Sequence, residues 1–187
     1  MNKKDIRTKV LAIRKCIGKE IVCKNSKRIL KKLFQLGEFR KAKKIVFYAS
    51  FNNEVDTWLM IEKALKLNKE VFLPKIKNGK IIPVKVKNLN NLACGKYGIL
   101  EPINGDLKKI SIKYFDMIIV PGVVFDKNCN RIGFGKGYFD NFLSNIEAVK
   151  IGLGYGFQVI EHIPVTDKDV PMDRVITEKQ IIRRRQS

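Results

Sequence analysis

The chain has 187 residues, 45% of them hydrophobic, which suits a single unit with a real core. No run approaches the ~18 apolar residues of a membrane span, and 4 Cys without CxxC spacing beside 1 His make a zinc site or a disulfide framework improbable. A formal charge of +20 leaves polyanions as natural partners, whether nucleic acid or small phosphorylated and carboxylated molecules.

Much of that charge sits early: residues 1–45 hold 16 Lys/Arg against 3 Asp/Glu. Lysines spread over helices equally form a solvated face. The start, MNKKDIRTKV, lacks the apolar centre of a signal peptide, so a cytoplasmic setting with reduced thiols is expected.

Residues 2–17 predict an amphipathic helix with Ile6, Val10, Ile13 and Ile17 on one face. Lys3, Arg7 and Arg14 share a neighbouring stripe, which alone reads as solvated surface. Residues 19–36 predict a second helix, with Ile29, Leu30, Leu33 and Phe34 inward. Lys44 to Ser50 (KIVFYAS) suits a buried parallel strand. Asp56 or Thr57 then caps a helix that turns Trp58, Ile61 and Leu65 inward. Glu54 falls at the carboxyl end of that strand, where open α/β sheets bind ligands, although alone it reads as a loop carboxylate in water. Glu70 to Ile76 predicts a strand broken at Pro74, and Asn78-Gly79 turns the chain into a strand over 81–87. Residues 88–114 predict no regular structure.

The strongest signal lies between Phe115 and Leu143. Met117 to Val120 is an apolar run that predicts a buried strand ending at Pro121-Gly122. Tyr138, Phe139, Phe142 and Leu143 fall at helical spacing. Between them, Gly133, Gly135 and Gly137 occupy alternate positions beside Arg131 and Lys136. Such a loop lets backbone N–H groups approach an anion at a helix start. It reads as a phosphate cradle with Asp140 as a metal ligand one turn on, or as a plain glycine-rich turn. It is neither a P-loop, since Gly follows Lys136 where Ser or Thr is required, nor a Rossmann fingerprint, since Tyr138 stands in place of the third Gly. Val149 to Leu153 predicts another strand, and residues 179–187 a basic, frayed tail. The alternation argues a single three-layer α/β/α domain over 1–187, with N-terminal helices over 1–36 and a mostly parallel central sheet.

RIGFGKGYFD, preceded by PGVVFDKNCN, resembles the signature of the 5-formyltetrahydrofolate cyclo-ligase family, also called methenyltetrahydrofolate synthetase. The match falls at Pro121, Gly122, Phe125, Asp126, Arg131, Gly133, Gly135, Gly137, Tyr138 and Asp140. Phe134 stands where the family usually has Arg, and Phe139 where it usually has Tyr. The first departure removes a cation, so either binding is weaker or another basic group compensates. Lys75 likewise takes an Arg position, as a point charge without the bidentate contact.

The resemblance runs from Lys3 to Glu178 and implies ATP-dependent closure of 5-formyltetrahydrofolate, with or without a polyglutamate tail, to 5,10-methenyltetrahydrofolate. ADP and phosphate would be released. ATP is the implied co-substrate and Mg²⁺ the implied metal. Nucleotide contacts are implied for Lys3, Lys4, Arg7, Lys75 and the run Arg131, Ile132, Gly133, Phe134, Gly135, Lys136, Gly137, Tyr138 and Phe139. Substrate contacts are implied for Ala49, Glu54, Tyr97 and the segment from Phe134 to Tyr138. Arg131, Lys136 and Tyr138 carry the implied catalytic roles. Asp140 and Asp169 would hold Mg²⁺, with Asp173 the near alternative to Asp169. A monomer is expected, with no membrane or nucleic-acid partner. The competing reading, a basic nucleic-acid-binding module, lacks an RNP-like strand, a zinc finger or a KH loop. A phosphosugar enzyme of the same architecture is the third reading.

Overall fold

The computed structural model describes residues 2–95, 98–103 and 114–184. Its first half runs α1 (Lys3–Cys16), α2 (Lys19–Gln35), α3 (Gly37–Lys41), β1 (Lys44–Val46), α4 (Trp58–Lys66), β2 (Glu70–Lys77), β3 (Lys80–Val86), β4 (Leu92–Cys94) and β5 (Leu100–Pro102). The second half runs β6 (Met117–Pro121), β7 (Val124–Asp126), β8 (Arg131–Ile132), α5 (Tyr138–Leu143), β9 (Val149–Leu153), β10 (Val159–Ile160), β11 (Arg174–Ile176) and β12 (Ile181–Arg183).

The central sheet has the order β12-β11-β9-β6-β1-β2-β3. Its middle strands, β11, β9, β6, β1 and β2, are all parallel, and an antiparallel strand closes each edge. The chain moves outward from β1 to β2, then returns to place β6 on the other side of β1. That reversal makes a topological switch point between the carboxyl ends of β1 and β6, the crevice where such sheets take ligands.

Buried strands read as continuous apolar runs because alternate residues feed two cores. Ile45, Val71 and Ile119 join Ile29, Leu33, Phe39, Met60 and Ile61 under α2, α3 and α4. Val46, Phe72 and Ile118 join Phe115, Phe125, Leu143 and Met172 on the opposite face. Among the described residues, α5 is the helix that packs on that second face, through Leu143 and Phe139. A three-stranded sheet, β10-β7-β8, stands beside it and supports α1 through Ile6 and Val10 against Val123, Val124 and Ile132.

Five expectations change. Ile13 is 51% exposed while Arg14 is 2% exposed, because α1 buries a narrow stripe at steps of four, Ile6–Val10–Arg14. Pro74 does not break β2: it lies opposite Pro83, beyond Phe72, the last partner on β1, where a missing N–H costs no bond to β1. Within 88–114, β4 and β5 pair as a hairpin. Instead of a frayed end, Ile181–Arg183 forms the edge strand β12, with Ile182 packed on the second core. The expected strand Lys44–Ser50 is paired as a regular strand only to Val46 and then continues extended, its Phe47 N–H donating to Phe72 O at 2.9 Å.

The segment after β6 is also more elaborate than a single loop. Gly122 gives way to β7, and Asp126 holds the turn into β8: its Oδ1 accepts from Asn128 N at 2.9 Å and Asn130 N at 2.8 Å, and its Oδ2 from Asn130 Nδ2 at 2.9 Å. Phe125 fits a slot made by absent side chains. A Cβ at Gly122 would lie 2.3 Å from its ring, one at Gly152 2.6 Å, and one at Gly154 2.9 Å.

Candidate active site

At the switch point lies a cavity of about 630 Å³. One wall comes from the chain after β1, with Tyr48, Ala49, Phe51 and Glu54; another from α1, with Lys3 and Arg7; the third is the loop from Arg131 to Asp140. Asp169 closes the rim. Segments far apart in sequence therefore converge where the strand order reverses.

The loop has the geometry its glycines permit. Gly135 has φ +94° and Gly137 φ +67°, a region that L side chains enter only with strain. Gly137 caps α5, which has only 6 residues, so the loop's amides and side chains matter more than a helix dipole. Arg7 ties α1 to this loop, its Nε donating to Gly133 O at 2.7 Å. Its guanidinium also lies 3.4 Å from where a Gly135 Cβ would be.

Two ion pairs sit on the rim. Arg131, 5% exposed, donates through NH2 to Asp140 Oδ1 at 2.7 Å. Lys3 pairs with Asp169, whose Oδ2 also accepts from Thr166 N at 2.6 Å and holds that carboxyl below its usual range despite partial burial. Asp140 Oδ1 is 3.4 Å from the N of Val170, the residue after Asp169, and both carboxylates line the cavity. No cluster of three or more His, Cys, Asp or Glu exists among the described residues. Two carboxylates that already attract cations suit Mg²⁺ shared with phosphate oxygens, not an all-protein cage. Asp173 turns away, accepting from Lys150 N at 2.7 Å.

Glu54 is not a loop carboxylate in water. It is 6% exposed, with Oε2 accepting from Phe51 N at 3.3 Å and Arg14 NH1 3.8 Å from Oε1. Burial pushes its carboxyl up to about 7, against the opposing Arg14 charge. In the unfolded chain the group ionises near its ordinary value of about 4.5, so between there and about pH 7 the folded state binds the extra proton. Its contribution to stability is thus full at low pH and is lost as pH rises through that window. Relative to Glu54→Gln, the wild-type protein is expected to lose on the order of 3 kcal/mol across it. Thermal unfolding of both proteins at a series of pH values checks this; parallel curves would refute it.

Of the remaining expected residues, Ile132, Gly133, Phe134, Lys136, Tyr138 and Phe139 line the cavity. Lys4 is exposed and outside it. Lys75 is also outside, its Nζ donating to Pro102 O at 3.0 Å and Ile103 O at 3.3 Å, so its charge caps the end of β5. Tyr97 lies outside the described residues. Arg14 was missed as a site residue. Its step of four from Val10 is the signal that places it on the buried stripe of α1. Two cations lie near Phe134: the Arg7 guanidinium is 3.4 Å from where a Gly135 Cβ would be, and the Arg14 guanidinium is 5.3 Å from the Phe134 ring centroid.

A doubly wound sheet with a cavity at its switch point, lined by a glycine loop, cations and two carboxylates, defines an α/β protein with a small-molecule site at the carboxyl ends of its strands. Residues 1–178 match the 5-formyltetrahydrofolate cyclo-ligase family, and the chain belongs to that family of enzymes. It is 31% identical over 185 residues to a probable 5-formyltetrahydrofolate cyclo-ligase of Schizosaccharomyces pombe, covering 89% of this chain and 90% of that protein. It is 32% identical over 183 residues to a probable 5-formyltetrahydrofolate cyclo-ligase of Caenorhabditis elegans, covering 89% and 87%. The solution structure of Aquifex aeolicus 5,10-methenyltetrahydrofolate synthetase superimposes with a TM-score of 0.89 at 37% identity, covering 100% of this chain and 95% of that one. Among the described residues no helix is long and apolar enough to cross a membrane.

Proposed function

We propose that this protein closes 5-formyltetrahydrofolate to 5,10-methenyltetrahydrofolate, with ATP as co-substrate and Mg²⁺ as cofactor. The observation that carries the reading is the convergence of Lys3, Arg7, Arg131, Lys136 and the glycine loop on one cavity that also holds Glu54.

The chemical difficulty explains the parts. A formyl oxygen is a poor leaving group, so N10 cannot displace it directly. Transfer of the γ-phosphoryl group to that oxygen makes it a good one; N10 then attacks the formyl carbon and gives up its proton, and phosphate departs. Phosphoryl transfer asks the protein for placement and charge neutralisation more than for covalent chemistry. Amides of Gly133 to Gly137 with Lys136, Lys3 and Arg7 would receive the phosphates. Asp140 and Asp169 would hold Mg²⁺, which supplies charge neutralisation on phosphate oxygens. To serve there, Lys3 would exchange Asp169 for a phosphate. Arg131 orients Asp140, and Tyr138 stands at the join of the two subsites. Glu54, Ala49 and Phe134 would line the folate end. Three exposed thiols, Cys16, Cys23 and Cys94, favour a reducing, cytoplasmic setting.

The purified protein, given 5-formyltetrahydrofolate, ATP and Mg²⁺, is expected to form the ultraviolet-absorbing methenyl product. Omission of ATP or chelation of Mg²⁺ is expected to abolish it. No product with every component present would overturn the reading.

A further inference from the structure

Arg14 stands behind the cavity wall. It is 2% exposed, and its guanidinium is set between an acid and an aromatic ring. On one side NH1 is 3.8 Å from Glu54 Oε1, too far for a hydrogen bond. Neither atom has a hydrogen-bond partner, though both are buried. On the other side the guanidinium lies 5.3 Å from the centroid of Phe134, whose ring packs on Phe51 with centroids 5.7 Å apart. Phe134 is otherwise 43% exposed, so these contacts set how its ring faces the cavity.

Buried charged atoms with unused bonding capacity are costly. A site retains such a cost where a ligand completes the bonding. Glu54 gives Oε2 to Phe51 N and leaves Oε1 open. A reduced pterin presents an amide-type ring N–H beside an amino group, a donor pair that matches the two oxygens of one carboxylate. The charged and titratable groups around Glu54 are Arg14 from α1, Tyr48 beyond β1, Tyr155 after β9 and Asp56 before α4. Both phenols are committed: Tyr48 donates to Val55 O at 3.0 Å and Tyr155 to Glu54 O at 2.9 Å. Among these groups Arg14 is the one cation, and its charge, ahead of the Phe51 N–H bond, is the larger influence opposing the burial that favours the neutral acid.

We propose that Arg14 is a positioning residue of the substrate pocket: from behind its wall it sets a cation against the open oxygen of Glu54 and holds the Phe134 ring, so that the pair receives the flat donor edge of the heterocycle. The inference rests on the folate reading above for the identity of that heterocycle.

The test replaces Arg14 by Met, which keeps length and loses charge, and by Lys, which keeps charge and loses the planar stack. In Arg14→Met, KM for 5-formyltetrahydrofolate at neutral pH is expected to rise on the order of tenfold, with kcat within about threefold and KM for ATP unchanged. The KM defect should shrink as pH rises and Glu54 ionises, and Arg14→Lys should recover part of it. A second measurement needs no turnover. The carboxyl carbon of Glu54, assigned by its absence in Glu54→Gln, is followed by NMR through a pH titration, and its midpoint should move upward in Arg14→Met. KM–pH profiles superimposable on wild type, or an unmoved midpoint, would overturn the proposal. If Arg14→Met does not fold, Arg14→Gln takes its place with the same two outcomes. Absence of turnover by the wild-type protein would instead remove the folate reading, and the carboxyl titration would still decide whether Arg14 governs Glu54.

Discussion

Asp140→Asn is expected to cut turnover by on the order of 100-fold and to lower stability by about 2 kcal/mol. The substitution keeps volume and shape and removes one charge. Two consequences follow. The candidate metal pair loses half its formal charge, so Mg²⁺ and the phosphates it neutralises are held less well. Arg131 also loses the partner at 2.7 Å that offsets its burial. Its other contacts are poor: Nε has no partner, and NH1 reaches Pro121 O only at 3.4 Å. Burial already pulls the Arg131 guanidinium below its ordinary value, and Asp140 is the main opposing influence. An uncompensated buried charge is strongly destabilising; Asp140 is 23% exposed, which places the loss toward the lower end. Steady-state kinetics and thermal unfolding read the two effects separately. Unchanged kinetics would take Asp140 out of the reacting site, and an unchanged melting temperature would show that the ion pair adds nothing to the fold.

Gly122→Val is expected to cost about 3 kcal/mol of stability, the upper end for overpacking a core. Even a Cβ there would lie 2.3 Å from Phe125, whose ring is fully buried and also faces Gly152 and Gly154. The ring cannot yield without pressing on β9. The backbone at Gly122 is fixed as well, since Gln158 Nε2 donates to Gly122 O at 3.0 Å and to Val123 O at 2.9 Å. Denaturant unfolding should show a lower midpoint, and Phe125→Leu on top of Gly122→Val should restore part of it. A valine accepted without loss would mean that the slot is not rigid. The same geometry accounts for the pairing of Gly122 with Phe125 and Asp126 in the signature. Glycine makes room for the ring, and Asp126 ties the turn that follows, so these residues shape the approach to the loop without reaching the cavity.

What the sequence made legible was local. Met117 to Val120 and Val149 to Leu153 announced themselves as buried parallel strands because both faces of a doubly covered strand are apolar. Gly133, Gly135 and Gly137 announced a loop that needs unusual backbone angles, and two of them use positive φ. What stayed hidden depended on partners distant in the chain. Whether Arg14 is solvated depends on Glu54, 40 positions later, and on Phe134 beyond that. Pro74 is harmless only because β1 ends before reaching it. The strand at Ile181–Arg183 exists because β11 presents an edge and Ile182 finds the core, neither of which a basic terminal sequence reveals. Lys75 looked like a phosphate ligand because nothing local showed that the carbonyls of Pro102 and Ile103 would claim it.

Helix α1 carries Lys3, Arg7 and Arg14 yet is attached to the rest of the protein through few apolar side chains, chiefly Ile6 and Val10. Any anion gripped by its first two cations therefore fastens the helix as well as itself. Tightness of grip and order of the N-terminal segment become two readings of one free energy, so a weaker ligand also leaves a looser wall.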